Sequence, residues 1–157
     1  MEKHASSSAH HNHYPKLALM VVLSFIAMYI LMYAMVDKFS NVLPNINQFY
    51  MAGLMTSAMV VIELAVMAMM YHNRKWNIII IVLSLVALIS CYAGIRQQIG
   101  VSDKQFLKSM IPHHSAAILM CKQADLNDPE IKELCDQIIS GQQTEIDQMH
   151  VKLKDLK

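Results

Sequence analysis

Three apolar blocks, each about as long as a bilayer is thick, decide what this chain can fold into. Residues 17–36 and 77–95 contain no Asp, Glu, Lys or Arg, and residues 51–71 contain only Glu63. About 20 such residues, rising 1.5 Å each as a helix, cross roughly 30 Å of hydrocarbon. The blocks therefore predict three transmembrane helices in an all-α protein and exclude a one-piece soluble globule. Apolar residues make up 55% of the chain and charged ones 16%, against about 45–50% and 25% in soluble domains. The excess sits in these blocks. The first is too long for the roughly 7–15-residue core of a signal peptide. The residues after it, Met35-Val36-Asp37-Lys38, offer no small-residue cleavage site, so it reads as an anchor.

Flanking Lys and Arg set orientation. Lys3 and Lys16 precede the first block, and Arg74 and Lys75 lie in the turn before the third. Three crossings place both groups on one side. Lys38 and Arg96 flank the other side, with Lys104 and Lys108 further out. The bias puts the N-terminus in the cytoplasm and residues 37–50 and 96–157 outside, in a bacterial setting the periplasmic face of the inner membrane. The net charge of +1 without a long basic run argues against a nucleic-acid partner.

Residues 96–157 read as a helical hairpin over 102–123 and 129–155. Ser102, followed three residues later by Gln105, is a capping-box start. Asp128-Pro129-Glu130 restarts a helix with an N-cap, a Pro at N1 and an acidic first turn. The apolar stripe of the second helix, from Ile131 through Leu134, Ile138 and Ile146 to Leu156, is too wide for one partner helix. About 60 residues is also marginal for an autonomous domain. Both facts predict self-association into a four-helix bundle, with packing on residues 41–50 as the alternative.

The chemistry sits on this hairpin. With Met110 at zero and about 100° per residue, His113 falls near 300°, His114 near 40°, Met120 near 280° and Cys121 near 20°. Five soft or borderline donors share one face with Phe106 and Ala117. Pro112 lies inside that helix and predicts a local kink. Cys135, Gln142, Glu145 and Met149 lie on the facing helix, with His150 at the edge. A ladder about the turn sets Cys121 level with Cys135 and His114 level with Gln142, which allows a disulfide or a two-thiolate site. Thioether, imidazole and thiol together select soft ions: Cu(I) first, then Ag(I), with Zn(II) possible. A single Met or His on such a face is usually core filler; the cluster carries the inference.

The stretch Met110-Ile111-Pro112-His113-His114 resembles the MIPHH signature of the DUF305 family, and Gln142-Gln143-Thr144-Glu145-Ile146-Asp147-Gln148-Met149 resembles its Q-x-x-E-I-x-x-M signature. The resemblance covers about residues 104–153. It implies a ferritin-like helical bundle outside the cytoplasmic membrane, copper binding through Met and His, and a link to copper tolerance. Carried over by position, Met110, His113, His114 and Met149 are the implied ligands, with Glu145 a lesser one. The layout of His-rich tail, three spans and short hairpin resembles a membrane subgroup of the family. Many members have a longer soluble domain, so an intact site here would need a second protomer.

Three further features bear on metal. Methionine is one-sided on the first two blocks (Met20, Met28, Met32 and Met35; Met51, Met55, Met59, Met67, Met69 and Met70), which fits either a soft-ion surface or a flexible helix seam. Glu63 falls near the middle of its block, where a carboxyl is costly and marks either function or a hydrogen bond to Ser24, Tyr29 or Ser84. His4, His10, His11 and His13 form a metal-collecting candidate in a Ser-rich tail, residues 1–16, expected to be disordered. Cys91 reads as a small apolar residue.

The function expected from these residues is membrane-anchored Cu(I) sequestration or hand-off to a copper-handling partner, without enzymatic turnover. One rival is an oligomeric metal transporter using Glu63 and the Met faces. A second is a purely structural membrane oligomer. A ferritin-like oxidase would need paired Glu-x-x-His motifs, and the nearest sequence is Asp147-x-x-His150.

Overall fold

The computed structural model describes residues 13–156. Among them the protein is all-helical, with no strand. Helix α1 is Tyr14–Leu31 and continues as a 3-10 turn, Met32–Met35. A second 3-10 turn spans Phe39–Asn41; α2 is Ile46–Val66, α3 Arg74–Gln97, α4 Asp103–Gln123 and α5 Pro129–Asp155. Tyr14–Met35, Ile46–Val66 and Arg74–Gln97 are long and apolar enough to cross a membrane.

The N-caps explain where the helices start. The Asn45 side chain accepts the Gln48 N–H at 2.9 Å, so α2 begins five residues before the apolar block does. An apolar window misses this because Asn47 and Gln48 occupy the first turn. At its other end α2 stops at Val66, and Met67–Met70 form a turn although all four residues are apolar or small. Asn73 caps α3 through the Trp76 N–H at 3.2 Å. Ser102 caps α4 through the Gln105 N–H at 3.4 Å, and Asp128 caps α5 through the Glu130 and Ile131 N–H groups at 2.8 and 3.1 Å. The expected limits 102–123 and 129–155 therefore hold to within one residue. Helix α1 starts at Tyr14, inside the expected tail. His4, His10 and His11 lie outside the described residues.

Small residues bring α2 and α3 together. A Cβ at Gly53 would lie 2.8 Å from Cys91 Sγ, and one at Gly94 would lie 2.9 Å from the Tyr50 ring. At one end of the spans, Leu17, Val60, Leu64 and Tyr71 form a buried cluster. At the other end, α3 finishes with Gln98 in the left-handed region and Gly100 at φ +71°, where a side chain would be strained. This reversal delivers α4 to the end of the spans where α1 finishes and α2 begins. There Ile111 and Ile118 of α4 and Ile146 of α5 form a second buried cluster, joined by Leu43, Met149 and Leu153. The packing on residues 41–50 that the sequence left open is thus present, through Leu43.

Candidate metal-binding groove

Helix α4 runs unbroken through Pro112, and its buried residues are Ile111, Pro112, His114, Ser115 and Ile118. Successive residues on a helix point about 100° apart, so this burial pattern separates the two adjacent histidines. His114 is 8% exposed and faces α5. Its Nδ1–H donates to the Met110 carbonyl at 2.9 Å, and its Nε2 lies 2.7 Å from Glu145 Oε2. Both neighbours are hydrogen-bond acceptors, so the ring is held at both ends. Met110, Met149 and Phe106 border the same groove, a depression of about 300 Å³. The Glu145 side chain is 57% exposed.

His113 is exposed and turns away from α5. It lines a different cavity, towards the spans, together with Met110. The expected convergence of the two imidazoles is therefore replaced by divergence: α5 covers one side of α4 and can receive only one of two neighbouring residues. Met120 is 53% exposed and joins neither group.

Cys121 and Cys135 do meet, as the ladder about the turn predicts. Both are free thiols. A hydrogen bond to Cys135, helped by burial and by the charge of Asp136, pushes the Cys121 thiol from 9.0 up to about 11. Seven residues separate Cys121 from His114, about 10 Å along the axis, so the thiol pair stands apart from the imidazole. The ladder slips by one turn at His114, which bonds to Glu145 in place of Gln142. Gln142 Oε1 is left buried without a hydrogen-bond partner among the described residues.

The remaining candidates are dispersed. His150 Nε2–H donates to Asn41 Oδ1 at 3.0 Å. His13 stands at the N-terminal end of α1 and packs edge-on against Tyr71. Glu63 lies in the last turn of α2, away from the middle of the span, because α2 is displaced towards the N-terminus. It accepts from the Tyr71 hydroxyl at 3.3 Å, and not from Ser24, Tyr29 or Ser84. Among the described residues, no three His, Cys, Asp or Glu side chains are grouped closely enough to hold an ion.

Sequence reasoning missed a polar joint beneath α4. The Asp37 amide donates to Ser115 Oγ at 2.9 Å, the Ser115 hydroxyl donates to Asp37 Oδ1, and Asn41 Nδ2 donates to the same carboxyl at 3.1 Å. Lys122 Nζ stands 3.8 Å from Asp37 Oδ2. Burial pushes the Asp37 carboxyl up, but the Ser115 and Asn41 hydrogen bonds and the charges of Lys122 and Lys38 outweigh it, leaving it below the usual value. With His150 bonded to Asn41, this joint ties the exit of the first span to both α4 and α5. A Ser followed by two Ala on a helix, and an Asp just past a span, give no hint of each other at 78 residues' separation.

Residues 93–153 match the family described as "Domain of unknown function (DUF305)". The uncharacterized protein L153 of Acanthamoeba polyphaga mimivirus is 37% identical over 142 residues, covering 88% of this chain and 91% of that protein. No solved structure matches. The match covers all of α4 and most of α5, with both Met/His-bearing signatures inside it, and the chain belongs to the DUF305 family.

Proposed function

We propose that this protein is a membrane-anchored holder of a soft metal ion, Cu(I) first, with Ag(I) and Zn(II) as lesser candidates. The ion sits in the α4–α5 groove at His114, Met110, Met149 and Glu145. One observation carries this: a buried imidazole fixed by a backbone carbonyl at Nδ1, its Nε2 aimed into a groove bordered by two thioethers. Metal-bound histidines are oriented in this way, with the second ring nitrogen donating to a carbonyl or carboxylate. A metal on Nε2 would displace the proton that His114 shares with Glu145, releasing it to solvent, and the freed carboxylate would be available as an oxygen ligand. With at most one carboxylate, the groove suits a soft ion better than Ca(II) or Mg(II), which need several oxygens.

The Lys/Arg bias favours a cytoplasmic N-terminus and a helical hairpin on the outer face. Ile131, Leu134 and Val151 of α5 are 48%, 53% and 59% exposed in the single chain. That favours a second copy completing a ferritin-like bundle. Sequestration or hand-off fits such a site, and turnover is not part of the reading. The transporter alternative is weakened by the position of Glu63 in the last turn of α2, bonded to Tyr71.

The test is competition for Cu(I) between the full-length protein in detergent micelles and a chelator of known affinity. His114→Ala with Met149→Leu should weaken binding by about 10–100-fold or more, as loss of oriented ligands does. Unchanged affinity in that variant would remove the groove from consideration.

A further inference from the structure

A second group of sulfur donors gathers where the spans meet α4. A cavity of about 310 Å³ lies between the end of the first span, the start of α2 and the middle of α4. Met32, Met35, Met51, Met110 and His113 line it. These four are among fourteen methionines in the chain, and they come from three separate elements. Met32 and Met35 belong to a 3-10 turn, in which residues three apart eclipse, so the turn stacks both thioethers on one side. A continued α-helix would keep them on one face but about 60° apart.

Apart from Gln48 and His113, the polar side chains around the cavity are already committed. Asn47 Nδ2 donates to Gln98 Oε1 at 3.0 Å and to Ser109 Oγ at 3.3 Å, while the Ser109 hydroxyl donates to the Gln105 and Phe106 carbonyls. Asn45 caps α2 and donates to the Leu43 carbonyl, which also accepts from the Tyr33 hydroxyl. His113 makes no hydrogen bond among the described residues; its one ring neighbour is His114 at 6.1 Å between centroids. The groups left to receive a ligand are therefore one imidazole, the thioethers and the Gln48 side-chain amide. No carboxylate lines the cavity, so nothing there offsets the cost of desolvating a divalent ion.

From this arrangement we propose that the cavity is a second site, for a soft monovalent cation held by His113, Met32, Met35 and Met51. Met110 borders both this cavity and the α4–α5 groove, so it is the ligand that would pass an ion between the end of the spans and the groove. The inference shares its ion class with the proposed function, and Met110 is the one residue the two sites have in common. The two can therefore fail separately.

The test is Ag(I) titration of the full-length protein in micelles, with Ag(I) as a redox-inert probe. With Cys91, Cys121 and Cys135 changed to Ser in every protein, so that no free thiol takes Ag(I), the parent should bind one equivalent in the groove and another in the cavity. A Met32→Leu/Met35→Leu/Met51→Leu variant, which keeps the apolar volume, should lose the cavity equivalent and keep the groove equivalent. His114→Ala/Met149→Leu should do the reverse. His113→Gln, an exposed change that needs no repacking, should weaken the cavity equivalent by about tenfold or more, and it decides the matter if the triple variant does not fold. Retention of both equivalents, at unchanged affinity, by the triple variant or by His113→Gln overturns the inference. A parent that binds one equivalent, lost only with His114 and Met149, overturns it while leaving the groove intact. Metal retained by every variant overturns both readings.

Discussion

His113 and His114 are neighbours in sequence and belong to different surroundings. His114 is packed against α5, held by a carbonyl on one nitrogen and a carboxylate on the other. His113 stands in an open cavity among methionines from the spans, with no hydrogen bond among the described residues. A turn of helix cannot direct adjacent side chains to one partner. Placed at the junction of spans and helix pair, the same dipeptide serves two compartments: one face of α4 contacts α5, and the next contacts the end of the spans. The adjacent-histidine motif is thus better understood as a divider than as a chelate.

That contrast depends on α4 and α5 keeping their register, so the most disruptive change is in the cluster that sets it. Ile146 is 1% exposed between Ile111 and Ile118. Ile146→Ala should cost about 2–5 kcal/mol of stability, measured by denaturant unfolding in micelles followed by circular dichroism. It should also abolish the His114–Glu145 contact while leaving the α2–α3 packing in place. A loss below about 0.5 kcal/mol would mean that α5 does not hold α4 in this rotation.

The joint at Ser115 fixes the other face. Ser115→Ala removes one donor from the Asp37 carboxyl and leaves the Asp37 amide without its acceptor, at a cost of about 1.5–3 kcal/mol. The sign with pH follows from Asp37 being held below its ordinary value. The stability it contributes is present above the usual carboxyl pKa of 3.8 and is lost as pH falls through the lower folded value. The stability gap between parent and Ser115→Ala should therefore be widest above pH 3.8 and narrow as pH falls below it. A gap that stays constant through the acid range would contradict the role given to this joint.

Cys121 gives the smallest effect, at alkaline pH. Its thiol is raised from 9.0 to about 11, so the protonated form is favoured in the folded state. That contribution is complete below pH 9.0 and fades as pH rises towards about 11. Alkylation of Cys121 at pH 8 should be slow in the parent and faster in Cys135→Ser, because a thiolate is the nucleophile and loss of the Cys135 contact eases its formation. Equal rates would mean that the two thiols do not interact.

Much of this arrangement was legible in the residues. Apolar blocks of bilayer length, with Glu63 their one charge, foretold three helices long and apolar enough to cross a membrane, Ser102 and Asp128 gave the starts of α4 and α5, and the spacing about the turn brought Cys121 to Cys135. What was not legible came from contacts distant in sequence. The arc that gathered Met110, His113, His114, Met120 and Cys121 was real as an arc, but one helix cannot cover all of it. The spans and the segment around Leu43 take a share that no helical wheel contains. Glu63 moved from the middle of a block to the end of a helix because Asn45 starts α2 early, a capping effect that hydropathy does not register. The Asp37–Ser115 joint pairs a loop with a helix across the full length of two spans.

The central claim is that thioether and imidazole together hold a soft ion between α4 and α5. X-ray absorption at the copper edge of the Cu(I)-loaded full-length protein tests it most directly. The account predicts mixed sulfur and nitrogen coordination, with the sulfur contribution falling in Met110→Leu/Met149→Leu and the nitrogen contribution falling in His114→Ala. Copper bound only through nitrogen and oxygen, or a spectrum indifferent to all three substitutions, would contradict it.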